Sequence, residues 1–196
     1  MSGAWPSLRE ADRELALALL FSPAKNRDII ADRLNLALEC ESAIHIASEP
    51  MLAAIRLQWW VEAIETGRHE QVPLMLRLSA RIEAGEVDAA ELTEQIGLWQ
   101  DRLATAPEDA GSCWAACFAM LAPNHAEAAR TIAHCLFADG PPPDNAMIEG
   151  CGGSQMRWLW MLAKLCHHRQ RHTGREDPLL VWRMLAWRIL GWRIFG

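Results

Sequence analysis

The chain has 196 residues, 51% of them hydrophobic and 22% charged, with a formal net charge of −6. That length suits one domain, perhaps extended by a terminal helix, with enough apolar residues for a sizeable core. No run of 18 uncharged apolar residues offers a transmembrane helix, and a net acidic chain with no recognised nucleic-acid motif argues against a nucleic-acid-binding role.

In chain order, helix signals recur and strand signals do not. Met1 to Arg9 has no apolar stretch followed by a cleavage site, which predicts no signal peptide and a cytoplasmic setting. Ser7 and Glu10 form a capping box, predicting a helix from Ser7 to Phe21 that Ser22-Pro23 stops. A second helix is expected from Asn26 to Ala47. Pro50 suits the first turn of a third, where its missing N–H costs nothing, and Gly67 ends it. A fourth runs from Pro73 to Gly85. Asp88 and Glu91 form another capping box and open a fifth to Ala104. A sixth spans Ala110 to Leu121, and Asn124 with Glu127 caps a seventh that ends at Phe137. Residues 139–153 hold three prolines and four glycines and are expected to be an irregular loop. An eighth helix follows from Ser154, its expected N-cap, to His172, and a ninth occupies 177–196 after Asp177-Pro178. The absence of alternating apolar patterns argues for one all-α domain over 1–196.

Charge is unevenly placed. Met1 to Met156 carries 11 Lys/Arg against 23 Asp/Glu, whereas Arg157 to Gly196 carries 8 against 2. The basic tail can meet anionic lipid headgroups, or lie against the acidic body of its own fold. The six cysteines form no CxxC pair and read as buried thiols of a reducing compartment. Cys113 and Cys117, one helical turn apart, have a two-thiolate metal or redox role as their alternative reading.

Residues 12–66 carry a resemblance. Asp12-Arg13-Glu14-Leu15, Phe21-Ser22-Pro23-Ala24-Lys25-Asn26-Arg27 and Glu39 lead into Ser48-Glu49-Pro50 and Ile55-Arg56-Leu57-Gln58-Trp59-Trp60. This segment, about a quarter of the chain, resembles the N-terminal third of the squalene/phytoene synthase family. It is most similar to the non-carotenoid branch that includes mitochondrial complex I assembly factors and their bacterial relatives. The resemblance implies a compact helical bundle of the isoprenoid synthase type, here trimmed, with a central cavity. In that family two aspartate-rich motifs face each other and hold Mg²⁺ against a prenyl diphosphate. Diphosphate leaves readily only when cations neutralise it, and Mg²⁺ prefers carboxylate oxygens.

The family pattern decays in this chain. Glu39 falls where the first motif's leading aspartate stands, and its partner four residues on is Ala43, which cannot ligate. The second motif has no match; that region reads Ala133-His134-Cys135-Leu136-Phe137-Ala138-Asp139 and then Gly-Pro-Pro-Pro. The expectation is therefore a non-catalytic protein, a lipid- or protein-binding assembly factor that needs no cofactor. The alternative is a Mg²⁺-dependent prenyl-diphosphate transferase with unusual ligands.

Several constellations are candidates. Asp28, Asp32, Asn35 and Glu39 share one helical stripe, read as a solvated face, with a relocated Mg²⁺ site at Asp28, Asp32 and Glu39 as its alternative. Arg27, Ile30, Leu34, Leu38, Glu41 and His45 form a second stripe, in which Glu41 and His45 are one turn apart and can pair. Arg56 lies between Leu52, Trp59, Trp60 and Ala63; a buried arginine must bind an acidic ligand or pair with Glu39 or Glu41. The ligand-binding set is thus Arg27, Glu39, Glu41, His45, Arg56 and Trp59. His168 and His172 have metal-ligand spacing but read as a polar helix end, and residues 150–154 read as an ordinary helix start rather than an anion cradle. The core is expected from Leu15, Leu19, Leu34, Leu38, Leu52, Ile55, Trp59, Leu98, Trp99 and Trp158. The tail repeats Trp-Arg at 182, 187 and 192; its helix is expected to pack on its own domain, or to dock on a partner or at the inner membrane as a peripheral contact. The Trp-rich tail on a small body also makes homo-oligomerisation an expectation.

Overall fold

A computed structural model describes residues 3–47, 49–67, 71–105, 109–151, 153, 155–171 and 179–190. The described chain is all-helical and contains no strand. Its helices are α1 (Ala4–Ala11), α2 (Arg13–Leu19), α3 (Ala24–Ile46), α4 (Pro50–Thr66), α5 (Pro73–Glu83), α6 (Ala89–Thr105), α7 (Ala110–Leu121), α8 (Ala126–Phe137), α9 (Asn145–Gly150), α10 (Arg157–Arg171) and α11 (Leu180–Leu190), with a 3₁₀ turn at Pro123–His125.

Eleven α-helices stand where nine are expected, for two local reasons. The first expected helix is broken at Asp12, which sits in extended backbone and accepts the amides of Glu14 and Leu15, both at 2.9 Å. This carboxylate N-cap starts α2 afresh. Ser7 is not a cap; it lies inside α1, which begins at Ala4. The second addition is α9, inside the expected loop of residues 139–153. Asp144 accepts the amide of Met147 at 2.7 Å and starts a helix just beyond the prolines. Pro50 and Pro73 occupy first-turn positions of α4 and α5, and Gly67 (φ 64°) closes α4 in the left-handed conformation. Residues Ser48, Ser154, His172, Asp177 and Pro178 and the Trp192-Arg193 repeat lie outside the described residues.

Helix α3 is the axis: α1, α2, α4, α5, α6 and α7 all pack on it. Its apolar residues Leu34, Leu36, Ala37 and Cys40 are fully buried. Three polar residues are buried with them. Asp32 receives Arg77 Nε at 2.6 Å and Arg81 Nε at 2.7 Å, both from α5. Arg33 donates to Gln95 Oε1 at 3.3 Å and to Glu91 Oε2 at 2.8 Å, while Gln95 Nε2 returns a bond to Arg33 O at 2.8 Å. Asn35 donates to Ala4 O of α1 at 3.0 Å. One turn of α3 thereby fixes the position of three other helices.

Helices α7 and α8 form a close antiparallel pair joined by the 3₁₀ turn. A Cβ added at Gly111 would come within 2.5 Å of the Ala138 Cβ, so glycine sets that approach. Behind them lies an aromatic cluster. Trp114 stacks on Phe137 with centroids 4.2 Å apart, meets Trp99 edge to face at 5.7 Å, and leads through Phe118 to Trp158. Such pairs add to plain area burial. The chain's last described helix, α11, packs Leu180, Met184 and Trp187 onto this body.

Removing the Asp32 carboxylate would leave two part-buried guanidinium groups without their shared acceptor. Asp32→Asn is expected to lower unfolding free energy by about 3–5 kcal/mol, measured by urea denaturation.

Candidate functional site

The acidic stripe of α3 divides. Asp28 and Glu39 are exposed, whereas Asp32 and Asn35 are buried. The expected solvated face is therefore corrected at its centre: the helix turns those two residues toward α5 and α1. Asp32 is equally removed from a Mg²⁺ site with Asp28 and Glu39, because both its oxygens accept from arginines. Burial works against the Arg81 charge, but hydrogen bonds to Asp32 and then to Glu86 outweigh it and hold the guanidinium more firmly protonated than usual. Ala43, at the position of the missing ligand, is buried. Among the described residues, no group of three or more His, Cys, Asp or Glu is placed to hold a metal ion.

The second stripe runs from the buried Ile30 and Leu34 to the surface. Arg27 and Glu41 are half-buried and His45 is exposed. Glu41 and His45 do face each other, with Nε2 and Oε1 3.8 Å apart, as a surface i,i+4 contact.

Arg56 is exposed, so it has no burial to compensate. The buried side of α4 is Ala53, Leu57, Trp60, Ala63 and Ile64. The core assignment is corrected accordingly: Leu52 and Ile55 are exposed, and Leu38, Trp59 and Leu98 are half-buried. Helix α4 is apolar nearly all round in its first half, so periodicity does not distinguish the side that meets α3 from the side that meets water.

The outcome is an apolar face that the bundle leaves uncovered. Met51 (71% exposed), Leu52, Ile55 (58%) and half-buried Trp59 span one arc of α4, and Ile46 (70%) at the end of α3 adjoins it in the chain. Arg56 stands at its side. Its margin is polar and acidic: Glu49, Glu62 and Glu65 are exposed, and Gln58 donates to Glu62 at 3.2 Å and accepts from Gln100 at 3.3 Å.

Helix α3 runs alongside α6, from the Arg33–Glu91 level toward the α6–α7 junction. There a cavity of about 210 Å³ opens between α6 and the start of α7, lined by Leu98, Asp101, Arg102, Thr105, Asp109, Ser112 and Cys113. Of these, the sequence points to Cys113 as a thiol and to Leu98 as a core residue; the others lie on the consecutive helices α6 and α7 or at the α7 cap and carry no motif. Arg102 is buried, with its guanidinium 5.6 Å from the centre of the Trp99 ring. Asp109 caps α7, accepting the Ser112 amide at 3.1 Å and the Ser112 hydroxyl at 2.5 Å. Those two bonds, with smaller pushes from His134 and Arg102, hold its carboxyl below the usual range. The Ser112 hydroxyl is thus engaged by the carboxylate that caps its own helix.

All six cysteines are free and buried. Burial pushes the Cys113 thiol up to about 11 and the Cys117 thiol up to about 12; burial, and then the neighbouring Cys117, also raises the Cys40 thiol well above its ordinary value. Glu41 adds a smaller push in the same direction at both Cys113 and Cys117. Cys113 also donates to Leu98 O at 3.3 Å. Protonated and hydrogen-bonded, these thiols are poor nucleophiles and poor metal ligands. His168, the described half of the expected histidine pair, packs edge to face on Trp187 at 5.9 Å.

Comparison with protein-family models finds no match. No curated protein and no solved structure matches the chain either.

Two outcomes follow. Ile55→Asp is expected to leave unfolding free energy within about 0.5 kcal/mol of wild type, while Leu57→Ala lowers it by about 2–5 kcal/mol; urea melts read both. Alkylation of Cys113 by iodoacetamide is expected to keep accelerating with pH beyond 9 rather than level off near the ordinary thiol value, followed by mass spectrometry of the native protein.

Proposed function

We propose that this chain is a non-catalytic protein of the squalene/phytoene synthase type, a trimmed version of the isoprenoid synthase bundle, that acts by binding a protein partner as an assembly factor does. The observation that carries this reading is the uncovered face of Ile46, Met51, Leu52 and Ile55, with Trp59 and Arg56 beside it. An apolar centre with methionine, tryptophan and arginine inside a polar margin has the composition of a protein–protein contact. Glu49, Glu62 and Glu65 at that margin argue against an anionic lipid surface at the same place.

The disposition of carboxylates supports the non-catalytic part. The transferase chemistry needs oxygens free to hold Mg²⁺ on a diphosphate. Asp32 spends both of its oxygens on Arg77 and Arg81, and Asp28 and Glu39 point to solvent on either side of it. In the cavity the Ser112 hydroxyl donates to the capping Asp109 and the Cys113 thiol to a backbone carbonyl, bonds of a structural kind.

Calorimetric titration with farnesyl diphosphate, with and without Mg²⁺, separates the alternatives. The expected result is no Mg²⁺-dependent binding. Mg²⁺-dependent binding that Asp28→Ala or Glu39→Ala abolishes would establish the transferase instead.

A further inference from the structure

Helix α11 has two apolar faces. Leu180, Met184 and Trp187 are buried against the body, where Trp187 meets His168 of α10 and the Arg188 guanidinium lies 5.7 Å from the centre of the Phe21 ring. The other face is not covered. Trp182 is 70% exposed and Ile189 76% exposed. At 100° per residue they fall within 20° of each other, with half-buried Leu185 and Ala186 between them. This i, i+3, i+4, i+7 stripe is the pattern that buries against something. Arg183 and Arg188 are exposed and stand on opposite sides of it, and α11 contains no acidic residue.

We propose that this outward face of α11 seats the protein peripherally on an anionic lipid surface. Charge selects the occupant. Residues 1–156 carry 11 basic against 23 acidic side chains, while 157–196 carry 8 against 2, so an anionic surface attracts this end of the chain and repels the rest. Tryptophan with arginines beside it suits the headgroup layer, where the ring enters the apolar boundary and the guanidinium groups reach phosphate oxygens. A second copy docking through the same face would bring arginine against arginine. Helix α11 is about 16 Å long, against the roughly 30 Å of a bilayer core, and no described helix is long and apolar enough to cross a membrane. It therefore lies in the surface rather than through it. This inference does not depend on the α4 face, which carries charge of the opposite sign at its margin.

The test is co-sedimentation of the full chain with vesicles of phosphatidylcholine alone and of phosphatidylcholine mixed with phosphatidylglycerol. Binding to the mixed vesicles only, weakened by salt, is expected. Trp182→Ser with Ile189→Ser is expected to weaken it at least about tenfold, and Arg183→Gln with Arg188→Gln by about tenfold. Thermal melts confirm that both variants fold, since the replaced side chains are exposed. No binding to mixed vesicles, equal binding to both kinds, or full binding by the Trp182/Ile189 variant would overturn the proposal. So would a concentration-dependent dimer, read by sedimentation velocity, that the same variant abolishes.

Discussion

The bundle depends on one turn of α3. Asp32, Arg33 and Asn35 lie within four consecutive positions, yet they point to α5, α6 and α1 respectively. Each is buried, and each would be costly without its partner. Apolar packing is permissive about register, because many sets of leucines and alanines fill similar space. A buried carboxylate between two arginines is not permissive: sliding α5 by a single turn leaves a charge unmatched. The polar belt gives up some stability in exchange for one arrangement of helices, and everything farther out takes its place from that arrangement.

The belt also decides what the acidic stripe can do. A carboxylate already bonded through both oxygens to guanidinium groups has nothing left for a metal ion, and its neighbours on the stripe are one turn up and two turns down at the surface. The side of α4 turned toward α3 is set in the same way. Ala53, Leu57 and Trp60 are taken up in the core, and the equally apolar Met51, Leu52 and Ile55 are left outside. Which apolar side of α4 is left exposed is thus decided by how the helix is seated.

Two uncovered apolar surfaces with opposite electrostatic margins result. The α4 face is bordered by glutamates, and the α11 face by arginines. If each binds as proposed, the α11 face rests on lipid while the α4 face receives a protein, a division of labour that the charge at each margin favours. The thiols take no part in it. Cys40, Cys113 and Cys117 are core residues whose burial keeps them protonated.

The all-α class, and the approximate place of most helices, could be read from the amino acids, because caps, first-turn prolines and stop glycines act within a few residues. The break at Asp12 and the short α9 were within reach of the same signals, since Asp12 and Asp144 are ordinary N-caps; a stronger-looking capping box and three prolines outweighed them. Which side of a helix faces inward is different. For α3 and α4 polar and apolar residues surround the axis without a clean stripe, so local periodicity does not point to the core. Asp32 could be placed inside only by knowing that Arg77 and Arg81, more than forty residues away, would arrive to meet it. Arg56 and Ile55 could be placed outside only by knowing that α3 and α6 fill the other side. The cavity lined by Arg102, Asp109 and Ser112 exists only where α6 and α7 diverge. Local interactions write themselves into neighbouring residues; burial and ion pairing between distant segments are settled when the chain packs.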